Sequence, residues 1–226
     1  METLRQSIVP SAAWSNSFKQ YMGTPLPNIH QPLGKLELVA LDMETTGLDF
    51  ETDKILSIGS VNLTCDQVDF SSSHEMYVNH GQYIQAHSAT INQITPKLLS
   101  KAKSIDTAMD ELLEKIRGKV ILAHHAVIER KFIEAYVRQK YGLRVLPCYF
   151  IDTLCIEKQF SYANRYKEHT SYYLGDLRRH YNLPDYHSHS AATDAASCAE
   201  LFLVQTKKLK LFNLASSTDL VSHDHN

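Results

Sequence analysis

The chain has 226 residues, a length that suits one mid-sized domain with a core large enough to hold a rigid site. Charged residues make up 21% and hydrophobic residues 43% of it, and the formal net charge of −2 argues against a protein that coats nucleic acid by bulk positive charge. No apolar run approaches the ~20 residues that cross a bilayer, and the N-terminus lacks a secretory signal. We therefore expect a cytoplasmic protein without a membrane contact.

The first 34 residues are rich in Ser, Pro, Gly and Asn, with Trp14, Phe18 and Tyr21 interspersed. This composition predicts an N-terminal extension over residues 1–34 that docks on the rest of the chain through its aromatic side chains. We place the main domain at residues 35–212 and a polar C-terminal tail at residues 213–226.

Strands are predicted first, and helices and strands then alternate. Apolar runs typical of buried strands cover 36–41 and 54–63, and further strands are expected at 74–78, 119–123 and 148–152. Helices are expected over 105–117 with Ser104 as the cap, and over 127–141, 154–160, 174–181 and 191–209. This order predicts an α/β fold, in which a mixed sheet carries helices on its faces and functional residues gather at strand ends.

The most informative motif is DMETTG, residues 42–47, directly after the first apolar strand. Because strand side chains alternate, Asp42 and Glu44 project to one side and Met43 to the other. Two carboxylates held so close repel each other unless a cation lies beside them, and oxygen ligands favour Mg²⁺ or Mn²⁺. Taken alone, however, Asp-x-Glu is a common tripeptide that usually marks a solvated strand end.

Two later motifs, HHAVIE (124–129) and HSAATD (189–194), also begin next to predicted elements. Glu129 and Asp194 fall in the first turns of helices, where carboxylates are favoured by the helix dipole. His189 is on a loop, and histidine titrates near neutral pH. Each motif alone has an ordinary explanation as a helix start. Together the three motifs supply four carboxylates and one histidine, all near strand ends or helix starts.

The three motifs, in this order, resemble the DEDDh exonuclease superfamily, which includes the proofreading epsilon subunit of bacterial DNA polymerase III, ribonuclease T and oligoribonuclease. The resemblance covers most of residues 36–205 and is greatest to the epsilon subunit. It implies a ribonuclease H-like mixed central sheet flanked by helices. It also implies 3′-to-5′ hydrolysis of the terminal phosphodiester of DNA, with RNA left open. Glu129 stands where the family carries Asp, and we expect a variant rather than an inactive site.

The resemblance further implies a cofactor of two divalent metal ions, Mg²⁺ or Mn²⁺, and a division of roles. The implied metal ligands are Asp42, Glu44, Glu129 and Asp194. His189 is the implied general base, which takes a proton from the attacking water. The residues expected to contact the nucleic acid strand are Thr45, Thr46, Gly47 and Leu48, with Leu48 as a wedge against the terminal base.

Several alternatives stay open at this stage. His187 competes with His189 as the base, and Phe132 or Tyr136 is a candidate surface for base stacking. The expected partner is nucleic acid with a 3′ end, most simply single-stranded. Polymerase association stays open, and so does clamp association through residues 209–212, although the preceding Gln of a clamp-binding peptide is absent. The competing function is a catalytically weak nucleic-acid-binding or polymerase-accessory module.

Overall fold

One mixed sheet organises the molecule, whose computed structural model describes residues 1–80, 94–161, 171–186 and 190–221. In those residues the strands are β1 (Leu38–Thr45), β2 (Ile55–Leu63), β3 (Val68–Asn79), β4 (Lys103–Ser104), β5 (Val120–Ala123) and β6 (Phe150–Asp152). They lie in the order β4-β3-β2-β1-β5-β6. β1 pairs antiparallel with β2 and parallel with β5, so the predicted mixed sheet is confirmed.

Helices cover both faces of this sheet. Those in the described residues are α1 (Glu2–Ser7), α2 (Asn16–Gly23), α3 (Pro96–Leu99), α4 (Ile105–Ile116), α5 (Val127–Tyr141), α6 (Thr153–Phe160), α7 (Leu174–His180) and α8 (Ala191–Lys208). Ser104 caps α4, as predicted, by accepting a hydrogen bond from the Thr107 amide at 3.2 Å. None of the helices in the described part of the chain is long and apolar enough to span a bilayer.

The two faces of β1 have different neighbours. Val39, Leu41 and Met43 belong to a core shared with α4 and α5. Leu38 and Ala40 belong to a second core, on the face that α8 covers. Since side chains alternate along a strand, residues 42 and 44 continue the face of Leu38 and Ala40. The sheet therefore points its two acidic side chains towards α8.

Strand lengths differ from the sequence expectation. β1 extends to Thr45, so Asp42 and Glu44 lie within the strand and not just beyond an end at residue 41. β3 starts at Val68, whereas only residues 74–78 were predicted. Its first half, VDFSSS, is mostly exposed and pairs with β2 through the backbone. Because backbone pairing of this kind leaves no alternating apolar pattern in the sequence, the first half of β3 was not predicted.

The N-terminal extension contains α1 and α2, which the sequence did not predict. Ser15 caps α2 by accepting a hydrogen bond from the Phe18 amide at 3.1 Å. Phe18 is fully buried and stacks on Tyr141 of α5, with ring centroids 4.0 Å apart. The Tyr21 hydroxyl donates to the Pro147 carbonyl at 2.8 Å. Aromatic side chains of the extension thus form part of the core.

At the other end of the described chain, residues from the predicted tail also pack on the domain. The Ser217 amide donates to the carbonyls of Ile29 and Gln31, each at 3.0 Å. Val221 forms an isolated antiparallel bridge with Ile151 of β6, and its side chain is buried. These contacts join the two terminal segments across the face that α8 covers.

A Phe18→Ala variant is expected to lose about 3–5 kcal/mol of unfolding free energy, the usual cost of removing a fully buried phenyl ring. Urea denaturation followed by circular dichroism measures this change. Val9→Ala, at a side chain that is 83% exposed, is the matched control and should change stability by less than about 0.5 kcal/mol. Equal stability of the two variants would contradict the packing of Phe18 in the core.

Candidate active site

Three of the predicted carboxylates meet between β1 and α8. Asp42, Glu44 and Asp194 each offer a carboxylate oxygen, and these oxygens all lie within 4.8 Å of one another. Asp194 is in the first turn of α8, which Ser190 caps by accepting a hydrogen bond from the Thr193 amide at 3.2 Å. Residues about 150 positions apart in sequence therefore share one acidic cluster.

Glu129, the fourth predicted ligand, lies in the first turn of α5 and is 3% exposed. Burial raises the pKa of its carboxyl to about 8, and repulsion from Asp152 adds to this effect. Its Oε2 atom has no hydrogen-bond partner among the described residues. Glu129 is outside the 4.8 Å group, but its charge raises the pKa of Asp42, so it acts on the same site.

Asp42 is at the electrostatic centre of the cluster. Its burial raises the pKa of its carboxyl well above the ordinary value, and repulsion from Glu129, Asp194 and Glu44 raises it further. Bound divalent cations would reverse this effect by stabilising the ionised carboxylates. Within the described part of the chain the donors are carboxylate oxygens, and Glu129 Oε2, which has no hydrogen-bond partner there, offers one more; such a set fits Mg²⁺ or Mn²⁺.

The end of β1 and the turn that follows it hold the four residues predicted to contact the nucleic acid. The Thr45 hydroxyl donates to the Gly47 carbonyl at 2.7 Å, and the Thr46 hydroxyl donates to Asp53 at 2.7 Å. A Cβ atom on Gly47 would lie 2.4 Å from Asp53 Oδ2, so a larger residue would have to displace Asp53 from its hydrogen bonds with Thr46 and Asp49. The Leu48 side chain is 74% exposed, which leaves it available to a ligand. The binding roles of these residues stay predictions.

The remaining candidates are two histidines and two aromatic residues. His189 and its competitor His187 lie outside the described residues. Phe132 is 5% exposed and packs in the core, so it offers no surface for base stacking. Tyr136 is half-buried, and its hydroxyl donates to Asp106 at 2.9 Å.

Sequence reasoning assigned no role to Asp152, although it holds the site's backbone in place. Its buried carboxylate accepts hydrogen bonds from the amides of His125, Ala126 and Leu154, each at 2.9 Å. These bonds join the end of β5 and the start of α5 to the β6–α6 junction. The available signal was an aspartate placed to cap the helix that begins at Thr153.

His124 is a structural residue and not an acid–base group. Its Nδ1 atom lies 2.8 Å from the Thr153 hydroxyl and its Nε2 atom lies 2.9 Å from the Tyr172 carbonyl. Burial lowers the pKa of its ring, which favours the neutral form. Contacts of both ring nitrogens therefore hold the start of α6 and the segment before α7 near the site.

Glu75 on β3 is a further carboxylate that the sequence did not suggest. It is paired with Gly59 of β2, which is paired in turn with Asp42 of β1. The Ser57 hydroxyl donates to Glu75 at 3.0 Å, and the charge of Glu75 contributes to the raised pKa of Asp42. Its surroundings in sequence, SSSHEM, gave no pattern that distinguishes it from a solvated strand residue.

The family model for exonucleases of the RNase T type matches residues 39–202, which include all four candidate carboxylates and most of the chain. The chain belongs to this exonuclease family. The predicted DEDDh resemblance is therefore confirmed. A curated relative, the PolC-type DNA polymerase III of Thermotoga maritima, is 27% identical over 187 residues. The match covers 83% of this chain but only 13% of the polymerase.

Solved structures share the fold of this chain. Cell-death related nuclease 4 superposes with a TM-score of 0.66 at 15% identity, covering 80% of this chain and 66% of that one. The nuclease domain of 3′hExo, a DEDDh family member bound to rAMP, has a TM-score of 0.61 at 16% identity, covering 76% of this chain and 92% of that domain. Such low identity establishes the ribonuclease H-like fold alone.

The pKa of Glu129 predicts how the stability of the metal-free protein responds to pH. Its carboxyl titrates at about 8 in the native state but near ~4.3 when unfolded, so between these values the native state binds the extra proton. The free energy of unfolding should then fall as pH rises from 5 to 8 in EDTA. Glu129→Gln should flatten this fall, as measured by urea midpoints. An equally steep fall in the variant would contradict the assignment.

Proposed function

We propose that this chain is a metal-dependent 3′-to-5′ exonuclease that hydrolyses the terminal phosphodiester of a nucleic acid strand and releases nucleoside monophosphates. One observation carries the proposal. Carboxylates from β1 and α8 converge to within 4.8 Å, beside a buried glutamate from α5 whose charge acts on the same site. Family membership supports the hydrolytic activity. Hydrolysis with bound cations would explain why the carboxylates lie so close together.

The proposed ligands of two divalent cations are Asp42, Glu44, Glu129 and Asp194. Bound cations of this kind neutralise the charge of the phosphate and lower the pKa of water. His189 takes the proton from the attacking water, and Leu48 contacts the terminal base through its exposed side chain. The extra methylene of Glu129, compared with the family's aspartate, extends its carboxylate from the start of α5 towards the site.

The proposed substrate is a single strand with a free 3′ end. The exposed apolar side chain of Leu48, four residues after Glu44 in the sequence, suits an unpaired terminal base. The DEDDh structure that shares this fold holds rAMP, which has the form of a released product. Similarity to a DNA polymerase III supports a DNA substrate and an association with a polymerase.

The direct test is digestion of 5′-labelled single-stranded DNA and RNA of the same sequence, each with a free or a blocked 3′ end. We expect a ladder of products shortened stepwise from the free 3′ end, no ladder in EDTA, and recovery when Mg²⁺ or Mn²⁺ is added. Binding of the oligonucleotide without shortening, in the presence of Mn²⁺, would favour the catalytically weak binding module instead.

A further inference from the structure

Gly59 is the point at which α8 touches the sheet. It lies on β2, directly opposite Asp42 on β1. A Cβ atom built on Gly59 would lie 1.9 Å from the carbonyl carbon of Ala191, 2.0 Å from its oxygen and 2.2 Å from the Ala192 nitrogen. Non-bonded carbon atoms pack at about 3.5–4.0 Å. The first turn of α8 therefore rests on the bare backbone of Gly59.

The lack of space for a side chain, and not an unusual backbone conformation, explains why residue 59 is a glycine. The positive-φ glycines of the described chain are Gly118 and Gly142, so Gly59 has a conformation open to other residues. Its neighbours at the contact are backbone atoms of a helix, which cannot rotate away as a side chain can. Any larger residue must move the start of α8 away from the sheet.

Such a movement would act directly on the acidic cluster. Asp194 lies in the first turn of α8, three residues after Ala191, and its carboxylate must reach Asp42 and Glu44 on β1. Accommodating one methyl group at Gly59 requires a displacement of ~1.5 Å to restore normal carbon contacts. Mg²⁺ binds oxygen ligands at about 2.0–2.1 Å with little tolerance for distortion.

We propose that Gly59 is a positioning residue for the cation site, because its missing side chain sets the distance between Asp194 and the two carboxylates of β1. This inference rests on the cation site proposed above. It assigns Gly59 a role in metal affinity that is separable from its presence in a stable sheet.

Calorimetric titration with Mn²⁺ tests the inference without relying on activity. We expect Gly59→Ala to weaken Mn²⁺ binding by about 10–100-fold, the range seen when residues that orient metal ligands are changed. Gly23→Ala is the matched control, since a Cβ atom there meets nothing within 4 Å and the backbone needs no positive φ. It should bind Mn²⁺ as the wild type does. Thermal unfolding in EDTA checks that each variant is folded.

A longer acidic side chain at position 194 supplies the decisive comparison. Asp194→Glu alone should weaken Mn²⁺ binding, since the extra methylene does not fit the native distance. Combined with Gly59→Ala, it should bind Mn²⁺ more tightly than Gly59→Ala alone, because the longer side chain spans the added gap. Such non-additivity is expected of residues that act on one geometry.

The outcomes separate this inference from the proposed function. Absence of Mn²⁺ binding in the wild type would contradict the cation site itself. Wild-type affinity in Gly59→Ala, or independent losses in the double variant, would overturn only the role of Gly59. An unfolded Gly59→Ala protein would also overturn it, because α8 could then not move aside and the residue would serve stability alone.

Discussion

An Asp42→Asn variant should lose at least about 10³-fold in exonuclease turnover, equivalent to roughly 4 kcal/mol of transition-state stabilisation. Asp42 is the carboxylate on which the charges of Glu44, Glu129 and Asp194 all act, so its loss weakens the cation site at its centre. Asparagine keeps the shape of the side chain but removes the charge and replaces one acceptor oxygen by an NH₂ donor. Single-turnover digestion of a labelled oligonucleotide in Mg²⁺ measures the effect.

The same substitution should not harm the metal-free fold. Removing one of several repelling carboxylates relieves repulsion, so the thermal midpoint in EDTA should stay equal or rise. Asp66→Asn, at an exposed position in the β2–β3 turn, is the matched control and should keep full activity. Turnover within tenfold of the wild type in Asp42→Asn would contradict the proposed role of Asp42.

A His189→Ala variant should lose about 10²–10⁴-fold in turnover, the usual contribution of a general base. Mn²⁺ affinity should stay unchanged, because the proposed ligands are carboxylates. Loss of turnover with intact metal binding would separate proton transfer from cation binding. Pre-steady-state digestion and calorimetry on the same preparation give both quantities.

His187→Ala is the control for this variant, since it lies two residues away in the same sequence segment. It should keep turnover close to that of the wild type. Loss of turnover in His187→Ala alone, with His189→Ala active, would move the base to His187.

Local signals in the sequence predicted much of the fold. Ser104 caps α4, and Gly142, with a φ of 72°, ends α5 in the left-handed conformation that favours glycine. Alternation along β1 placed Met43 in one core and Asp42 on the opposite face. The two helices before residue 24 were missed, because they are short and the apolar side chains of α2 are buried by parts of the chain distant in sequence, such as Tyr141 and Pro147.

In the candidate site, only the residues that belong to the three ordered motifs could be predicted from the sequence. The sequence supplied Asp42, Glu44 and Asp194, and strand alternation correctly placed the first two on one face. It could not supply the raised pKa of Glu129, since burial depends on residues brought together by folding. Nor could it identify Gly59, because the contact of this residue with α8 joins segments more than 130 residues apart.

Manganese-soaked crystals examined by anomalous diffraction test most directly whether the converged carboxylates form a cation site. Two anomalous peaks about 4 Å apart are expected, with oxygen ligands from Asp42, Glu44 and Asp194 and with Glu129 at the second ion. Crystals saturated with Mn²⁺ that show no peak beside Asp42 would contradict the cation site.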